Sequence, residues 1–214
     1  MTWCEEKSAL VPPLEKLSTG LLNGCIHMTD KRPSLAFSSK SLDRGLVEVF
    51  TGDGKGKTSA AMGIALRALG QKLRVHIIFF MKGNYPYNEK QALAQLPNIS
   101  FSSYGQDYFV DPNNVKPEEK EQARKGLNKA IEVTNSGKYD VVILDEINLA
   151  VSWKLLDIDD VLKLIKNKPK SVELILTGRN ADPKLIEVAD LVTDMVKVKH
   201  PYDKGITARR GIEY

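Results

Sequence analysis

Apolar positions in this chain recur in short runs, and most of the runs are followed by a polar or glycine-bearing turn and then by residues at helical spacing. Leu46-Val47-Glu48-Val49-Phe50 is the first run, Val75–Phe79 the second and Ile99–Ser103 a weaker third. Val141-Val142-Ile143-Leu144, Leu174-Ile175-Leu176 and Met195–Val198 complete a set of about six expected strands. Val75–Phe79 is apolar on both alternations, as in a strand buried on both faces. Between the runs, Ala60 to Leu69 reads as a helix that Gly70 ends. Pro117 opens another, with Leu127 and Ile131 on one face and Gly137 near its end. Ile158, Val161, Leu162 and Ile165 follow the i, i+3, i+4, i+7 rule of a core-packing helix, and Asp182-Pro183 caps one through Leu185, Ile186 and Ala189. Strands alternating with helices predict an α/β fold: a mostly parallel sheet with helices on both faces and ligands beyond the C-terminal strand ends.

Residues 1–44 differ from this pattern. They contain Pro12-Pro13, Gly20, Gly24, Pro33 and a serine-rich stretch, Ser34–Ser41, with little periodicity. We read them as a flexible N-terminal extension with one short helix around Leu14–Leu22, and residues 45–214 as the folded domain. The alternative is a misassigned start, with translation beginning at Met28.

The first strand runs into Thr51-Gly52-Asp53-Gly54-Lys55-Gly56-Lys57-Thr58-Ser59, and a helix follows at once. Strand, glycine-rich loop and helix form the context of a phosphate-binding loop. Glycines let the backbone wrap a phosphate chain with N–H groups inward, and the helix N-terminus adds partial positive charge. Lys57 supplies a cation and Thr58 a hydroxyl for a magnesium ion. The usual pattern opens with glycine where this chain has Thr51; Gly52, Gly54 and Gly56 alternate instead, and Lys55 is a second cation. The motif predicts nucleotide binding and leaves the reaction open.

Asp145 and Glu146 close the fourth apolar run. An acid at a strand end supports the metal ion in phosphate-loop proteins. Regular strand geometry points adjacent residues to opposite sides; at least one of the pair is expected at the metal, or Asp145 caps the following turn. Thr177-Gly178-Arg179 follows a strand and is expected to border the nucleotide, with Arg179 either a phosphate or substrate contact or part of a surface salt bridge, and Arg67 reads as a helix-surface cation. Tyr85, Tyr87, Tyr104, Tyr108 and Phe109 lie in loops, either as an apolar wall for a flat ligand or as loop packing.

Composition narrows the classes. The 214 residues suit one α/β domain with an appendage, and the 42% hydrophobic content supports a sizeable core. The net charge of +4 comes without a dense basic stripe interleaved with aromatics, so nucleic-acid binding is not expected. No run approaches the ~18 apolar residues of a membrane span, and the start, with Glu5 and Glu6, lacks the plan of a signal peptide. Cys4 and Cys25 fit neither a zinc nor a disulfide pattern, and His27, His76 and His200 have no metal-ligand spacing. A cytoplasmic protein without nucleic-acid or membrane partners is expected.

The phosphate loop, the Leu144-Asp145-Glu146 strand end, Leu176-Thr177-Gly178-Arg179 and the tail from Lys199-His200-Pro201-Tyr202-Asp203-Lys204-Gly205 to Arg210-Gly211-Ile212-Glu213-Tyr214 together resemble the ATP:corrinoid adenosyltransferase family of cobalamin biosynthesis and salvage, in its phosphate-loop type. The resemblance spans about Gly45 to Tyr214. It implies transfer of the 5′-deoxyadenosyl group of ATP to the cobalt(I) of a corrinoid, with triphosphate leaving. It also implies magnesium or manganese dependence, a homodimer, an electron-donor reductase or flavoprotein upstream, and ATP lying reversed in its loop relative to ordinary NTPases. By matching positions, Gly52, Asp53, Gly54, Lys55, Gly56, Lys57, Thr58 and Ser59 hold the triphosphate with Arg179 beside them. Lys57, Thr58 and Glu146 act in catalysis, and Thr58 and Glu146 bind the metal. Asp53 stands where the family often has Asn, and the aromatics set against the corrin correspond loosely to Gln106 and Tyr108. The N-terminal segment can cover the corrin site in the family, so the resemblance implies a lid role for residues 1–44. The competing readings are an ATPase or kinase with Glu146 as base, and a nucleotide-dependent binding module without turnover.

Overall fold

The computed structural model describes residues 41–83 and 88–212. The expectations placed on Leu14–Leu22, Met28, Cys4, Cys25, His27, Tyr85 and Tyr87 lie outside them. The chain runs β1 (Val47–Thr51), α1 (Lys57–Gly70), β2 (Val75–Phe79), α2 (Asn88–Leu93), β3 (Ile99–Ser103), α3 (Pro117–Asn135), β4 (Val141–Asp145), α4 (Ile147–Ser152), α5 (Ile158–Asn167), β5 (Glu173–Thr177), α6 (Pro183–Val188) and β6 (Leu191–Asp194), then a 3-10 turn at Pro201–Lys204. The six strands form one sheet in the order β3-β2-β4-β5-β1-β6, and each pairing is parallel. The expected α/β architecture is therefore observed.

Side-chain alternation divides the core into two layers. On β4, Val142 and Leu144 join Ala123, Leu127 and Ala130 of α3, Val161 and Leu164 of α5, and Leu185 of α6. Val141 and Ile143 face the other way, toward Ala61, Met62, Ala65 and Ala68 of α1. Helices on both faces remove the central strands from water, which is why β2 and β4 are buried throughout. Helix ends follow local chemistry. Asp157 caps α5 by accepting from the Asp159 N–H, and Asp182 caps α6 by accepting from that of Lys184, both at 2.9 Å.

Three expectations are corrected. The sixth strand is Leu191–Asp194, not Met195–Val198. Asp194 pairs with Thr51, the last residue of β1, so the later run has no strand left to bond, and Val196 and Val198 are exposed. On α3 the buried arc is Ala123, Gly126, Leu127, Ala130 and Val133, which leaves Ile131 at 40% exposure. On α5 Leu164 is buried with Val161, while Ile158, Leu162 and Ile165 pack only partly against the core. The short helices α2 and α4 carried no usable periodicity.

His76 is the polar exception in β2. It is buried at 3% exposure, with Nδ1 2.7 Å from Ser100 Oγ and Nε2 3.0 Å from Ser102 Oγ on β3, and Ser100 bonds the Tyr139 hydroxyl at 3.0 Å. Burial lowers its pKa from 6.5 to about 4; the Lys129 charge adds to the effect and Glu132 opposes it. The folded state thus resists a proton that the unfolded chain accepts. Stability is expected to fall as pH drops from about 6.5 toward 4, with a slope from this residue approaching ~1.4 kcal/mol per pH unit. Denaturation of the wild type and of His76→Gln at stepped pH checks this. The variant should lack that part of the slope; equal slopes in the two proteins would remove His76 from the account.

Candidate active site

The loop between β1 and α1 is shaped from two sides. Gly52 and Gly56 have φ of +94° and +123°, a region that glycine enters at little cost. The segment after β6 crosses the loop closely. The Met195 N–H donates to the Thr51 carbonyl at 2.9 Å, and the Met195 carbonyl accepts from the Gly54 N–H at 2.6 Å. A Cβ on Gly52 would lie 2.1 Å from Asp194 Oδ1, and one on Gly54 2.5 Å from the Met195 carbonyl oxygen. Two of the alternating glycines thus answer to this crossing as well as to any phosphate. Lys57, the first residue of α1, is buried and donates from Nζ to the carbonyls of Gly52 at 2.6 Å and Gly54 at 2.7 Å. Burial lowers its pKa; Glu146, Asp53 and Asp194 pull it back up.

Asp145 is fully buried at the end of β4, and three donors meet its carboxylate. Oδ1 accepts from the Thr58 hydroxyl at 2.9 Å and from the Thr177 hydroxyl at 2.7 Å, while Oδ2 accepts from Lys82 Nζ at 2.6 Å. The residue is a hub joining α1, β5 and the segment after β2, rather than a cap on the next turn. Glu146 follows in the left-handed conformation, φ 67° and ψ 17°, with its N–H donated to Thr177 Oγ1 at 3.0 Å. That turn takes Glu146 out of strand alternation, so the two neighbouring acids serve one region. Burial raises the Glu146 pKa, and the adjacent Asp145 charge adds to this, against the pull of Lys82, Lys57 and Arg179.

A cleft of about 1120 Å³ opens above these groups at the C-terminal ends of the strands. Asp53 to Ser59, Lys82, Glu146 and Arg179 line its polar side. Met62 and Leu66 of α1, Leu149 of α4, Trp153 just after it, and Ile212 of the tail are its apolar lining. Gly52 is not among the lining residues; it borders a smaller cavity of about 420 Å³ on the far side of the loop, which Asp53 also borders. The tail returns to the loop, where Lys55 Nζ donates to the Ile212 carbonyl at 2.9 Å. Asn148, fully buried in α4, donates from Nδ2 to the carbonyls of Phe50 at 3.3 Å and Gly178 at 3.2 Å, which ties the strand before the loop to the turn that carries Arg179.

Other candidates lie elsewhere. Arg67 is an exposed residue of α1. Tyr104 packs against the core, Phe109 is 90% exposed, and Tyr108 carries Lys116 Nζ 4.7 Å from its ring centre. Neither these residues nor Gln106 belong to the described cleft lining, which includes the Trp153 and His200 rings. Lys82, Asn148, Trp153 and Met195 escaped sequence reasoning as site residues, and Thr177 enters it only as part of the turn bordering the nucleotide. The position of Lys82 and Thr177 at strand C-terminal ends was the available signal for those two.

The chain matches the profile of the family described as ATP:corrinoid adenosyltransferase BtuR/CobO/CobP over residues 43–214. It is 33% identical over 180 residues to the corrinoid adenosyltransferase of a Sinorhizobium species, covering 83% of this chain and 84% of that one. It is 33% identical over 172 residues to the corrinoid adenosyltransferase of Escherichia coli K12, covering 80% and 87%. With the corrinoid adenosyltransferase CobA of Salmonella typhimurium LT2 the identity is 32% over 179 residues, covering 80% and 87%. The solved structure of the flagellar accessory protein FlaH from Methanocaldococcus jannaschii superposes with a TM-score of 0.49 at 15% identity, over 72% of each chain. On the match over residues 43–214 and the identity with these relatives, this chain belongs to the ATP:corrinoid adenosyltransferase family.

Proposed function

We propose that this protein carries out its family's reaction, transfer of the 5′-deoxyadenosyl group of ATP to the cobalt(I) of a corrinoid with release of triphosphate, in adenosylcobalamin biosynthesis and salvage. One observation carries the reading furthest: a phosphate loop and an apolar wall of Met62, Leu66, Leu149 and Trp153 share a single cleft. The reaction needs both surfaces, one for a polyanion and one for a broad macrocycle. Cobalt(I) is the nucleophile; its electron pair forms the bond to C5′, and the C5′–O bonding pair leaves with triphosphate. The protein then needs no general base. Its tasks are to hold C5′ in line with cobalt, to exclude water and to meet the charge that develops on the leaving group.

Lys57, Lys55, the loop N–H groups from Lys55 to Ser59 and the N-terminus of α1 meet that charge, with Arg179 in the same cleft lining. Gly52 and Asp53 shape the loop. Thr58 and Glu146 supply hard oxygens beside the phosphates, a donor set that fits magnesium or manganese. Among the described residues no cluster of three His, Cys, Asp or Glu side chains forms a self-contained metal cage, as expected of an ion that shares its coordination with phosphates and water. When bound, the ion supplies further neutralisation of the triphosphate. The electron-donor reductase or flavoprotein, the homodimer and a cytoplasmic setting belong to the same reading; no described helix is long and apolar enough to cross a membrane.

Lys57→Ala is expected to fold and to lose turnover by about a hundredfold or more, as losses of transition-state electrostatics do. Steady-state assays with preformed cobalt(I) corrinoid check this, and near-normal turnover would refute the role. Glu146→Gln separates the reaction classes. Gln is a weaker ligand for a hard cation, so adenosylation should fall and recover in part at high magnesium or manganese. Stoichiometric orthophosphate release by the wild type without an alkylated corrinoid would overturn the assignment in favour of an ATPase.

We also place the catalytic unit at residues 45–214, because Gly45 is already seated, its N–H on the Lys170 carbonyl at 2.7 Å and its carbonyl on Lys168 Nζ at 2.9 Å. A chain lacking residues 1–44 should unfold cooperatively and bind ATP; loss of either property would count against this boundary.

A further inference from the structure

We infer that Thr177 is a positioning residue for the reaction: its hydroxyl sets the Asp145 carboxylate and the Glu146 backbone relative to the phosphate loop. The inference rests on the reading of Thr58 and Glu146 as oxygen donors for the ion that accompanies triphosphate. Thr177 is fully buried at the end of β5, after Leu174, Ile175 and Leu176, where an apolar side chain would serve packing equally well. A buried hydroxyl without partners is destabilising. This one makes two bonds, and both end on the acidic pair. It donates to Asp145 Oδ1 at 2.7 Å and accepts from the Glu146 N–H at 3.0 Å.

The two bonds have separate consequences. Asp145 Oδ1 also accepts the Thr58 hydroxyl at 2.9 Å, so one oxygen is held between the sheet and the phosphate loop. With Thr177 in place, the carboxylate plane is fixed, and the Thr58 hydroxyl hydrogen points at Asp145. The Thr58 lone pairs are then left for the cleft. The second bond supports the φ of 67° at Glu146, a conformation unfavourable for a non-glycine residue. That conformation turns Glu146 into the cleft lining. Lys82 holds Asp145 Oδ2 at 2.6 Å and neutralises the buried charge, while Thr177 bonds both acids, the carboxylate of one and the backbone of the other. Thr177 does not line the cleft, so its action on substrate passes through the acids and Thr58.

The test compares full-length wild type, Thr177→Val and Thr177→Ser. ATP affinity is measured by calorimetry with magnesium and with EDTA, together with the magnesium concentration that half-saturates turnover. Thr177→Val keeps the shape and loses the hydroxyl. It should lower magnesium-dependent ATP affinity, and raise the half-saturating magnesium, by about 10- to 100-fold, with metal-free ATP affinity changed less than about threefold. Thr177→Ser should recover to within about threefold of the wild type. If Thr177→Val does not fold, Thr177→Ala against Thr177→Ser repeats the comparison with the hydroxyl as the sole difference. Unchanged magnesium dependence in the hydroxyl-free variant overturns the inference, as does equal loss in Thr177→Ser or an equal fall in metal-free affinity. A wild type that binds ATP alike with and without magnesium would instead sink the underlying metal reading, and the inference with it.

Discussion

The buried carboxylate of Asp145 is the constraint on which the site depends. An unpaired carboxylate at this depth would be strongly destabilising, so its position demands donors, and the structure brings three to it from separate parts of the chain. Thr58 comes from α1, Lys82 from the segment after β2 and Thr177 from β5. None is near another in sequence, yet satisfying one charge draws the ends of three strands and the first turn of a helix to one point. Removing a single partner would leave the remaining charge poorly compensated, which makes the hub a stiff element rather than a replaceable contact.

A second constraint acts from the opposite side. The chain leaving β6 does not run on as a strand but folds over the phosphate loop through Met195, and the tail returns to Lys55 at Ile212. The loop is thus held between the sheet and the end of the chain. Gly52 and Gly54 fit because their missing side chains leave room for Asp194 and Met195. A loop held this way presents its N–H groups with little rearrangement, and preorganised donors are what a developing charge on a leaving group calls for.

The acidic pair also separates two roles that one motif suggests together. Asp145 has its oxygens occupied by protein donors, whereas Glu146 lines the cleft with a raised pKa. The first organises and the second faces the ligand. On the proposed reaction, whose nucleophile is a reduced metal centre rather than a hydroxyl, Glu146 would serve a cation as ligand and would not be needed as a base. The apolar wall of α1 and α4 then suits the macrocycle that carries the nucleophile.

Local patterning by itself determined the parallel α/β plan, five of the six strands to within about a residue, the phosphate loop and the acidic strand end. These are features of contiguous residues, where alternation, helical spacing and glycine placement are written directly into the order of side chains. Burial on α3 and α5 was legible only in part, because Ile131 and Leu164 are equally apolar and the facing elements decide which one is covered. The end of β6 was decided by where β1 stops offering a partner, and the αL turn at Glu146 by a hydroxyl 31 residues away. Trp153, in the cleft lining, follows directly on a helix too short to show a period, while Tyr104 and Tyr108, which the sequence brought forward, lie outside the described lining. Strand and loop identity are local, so the order of residues determines them. Which side chains meet at Asp145 depends on the sheet order β3-β2-β4-β5-β1-β6, and only the folded chain brings β2, β4, β5 and the start of α1 together there.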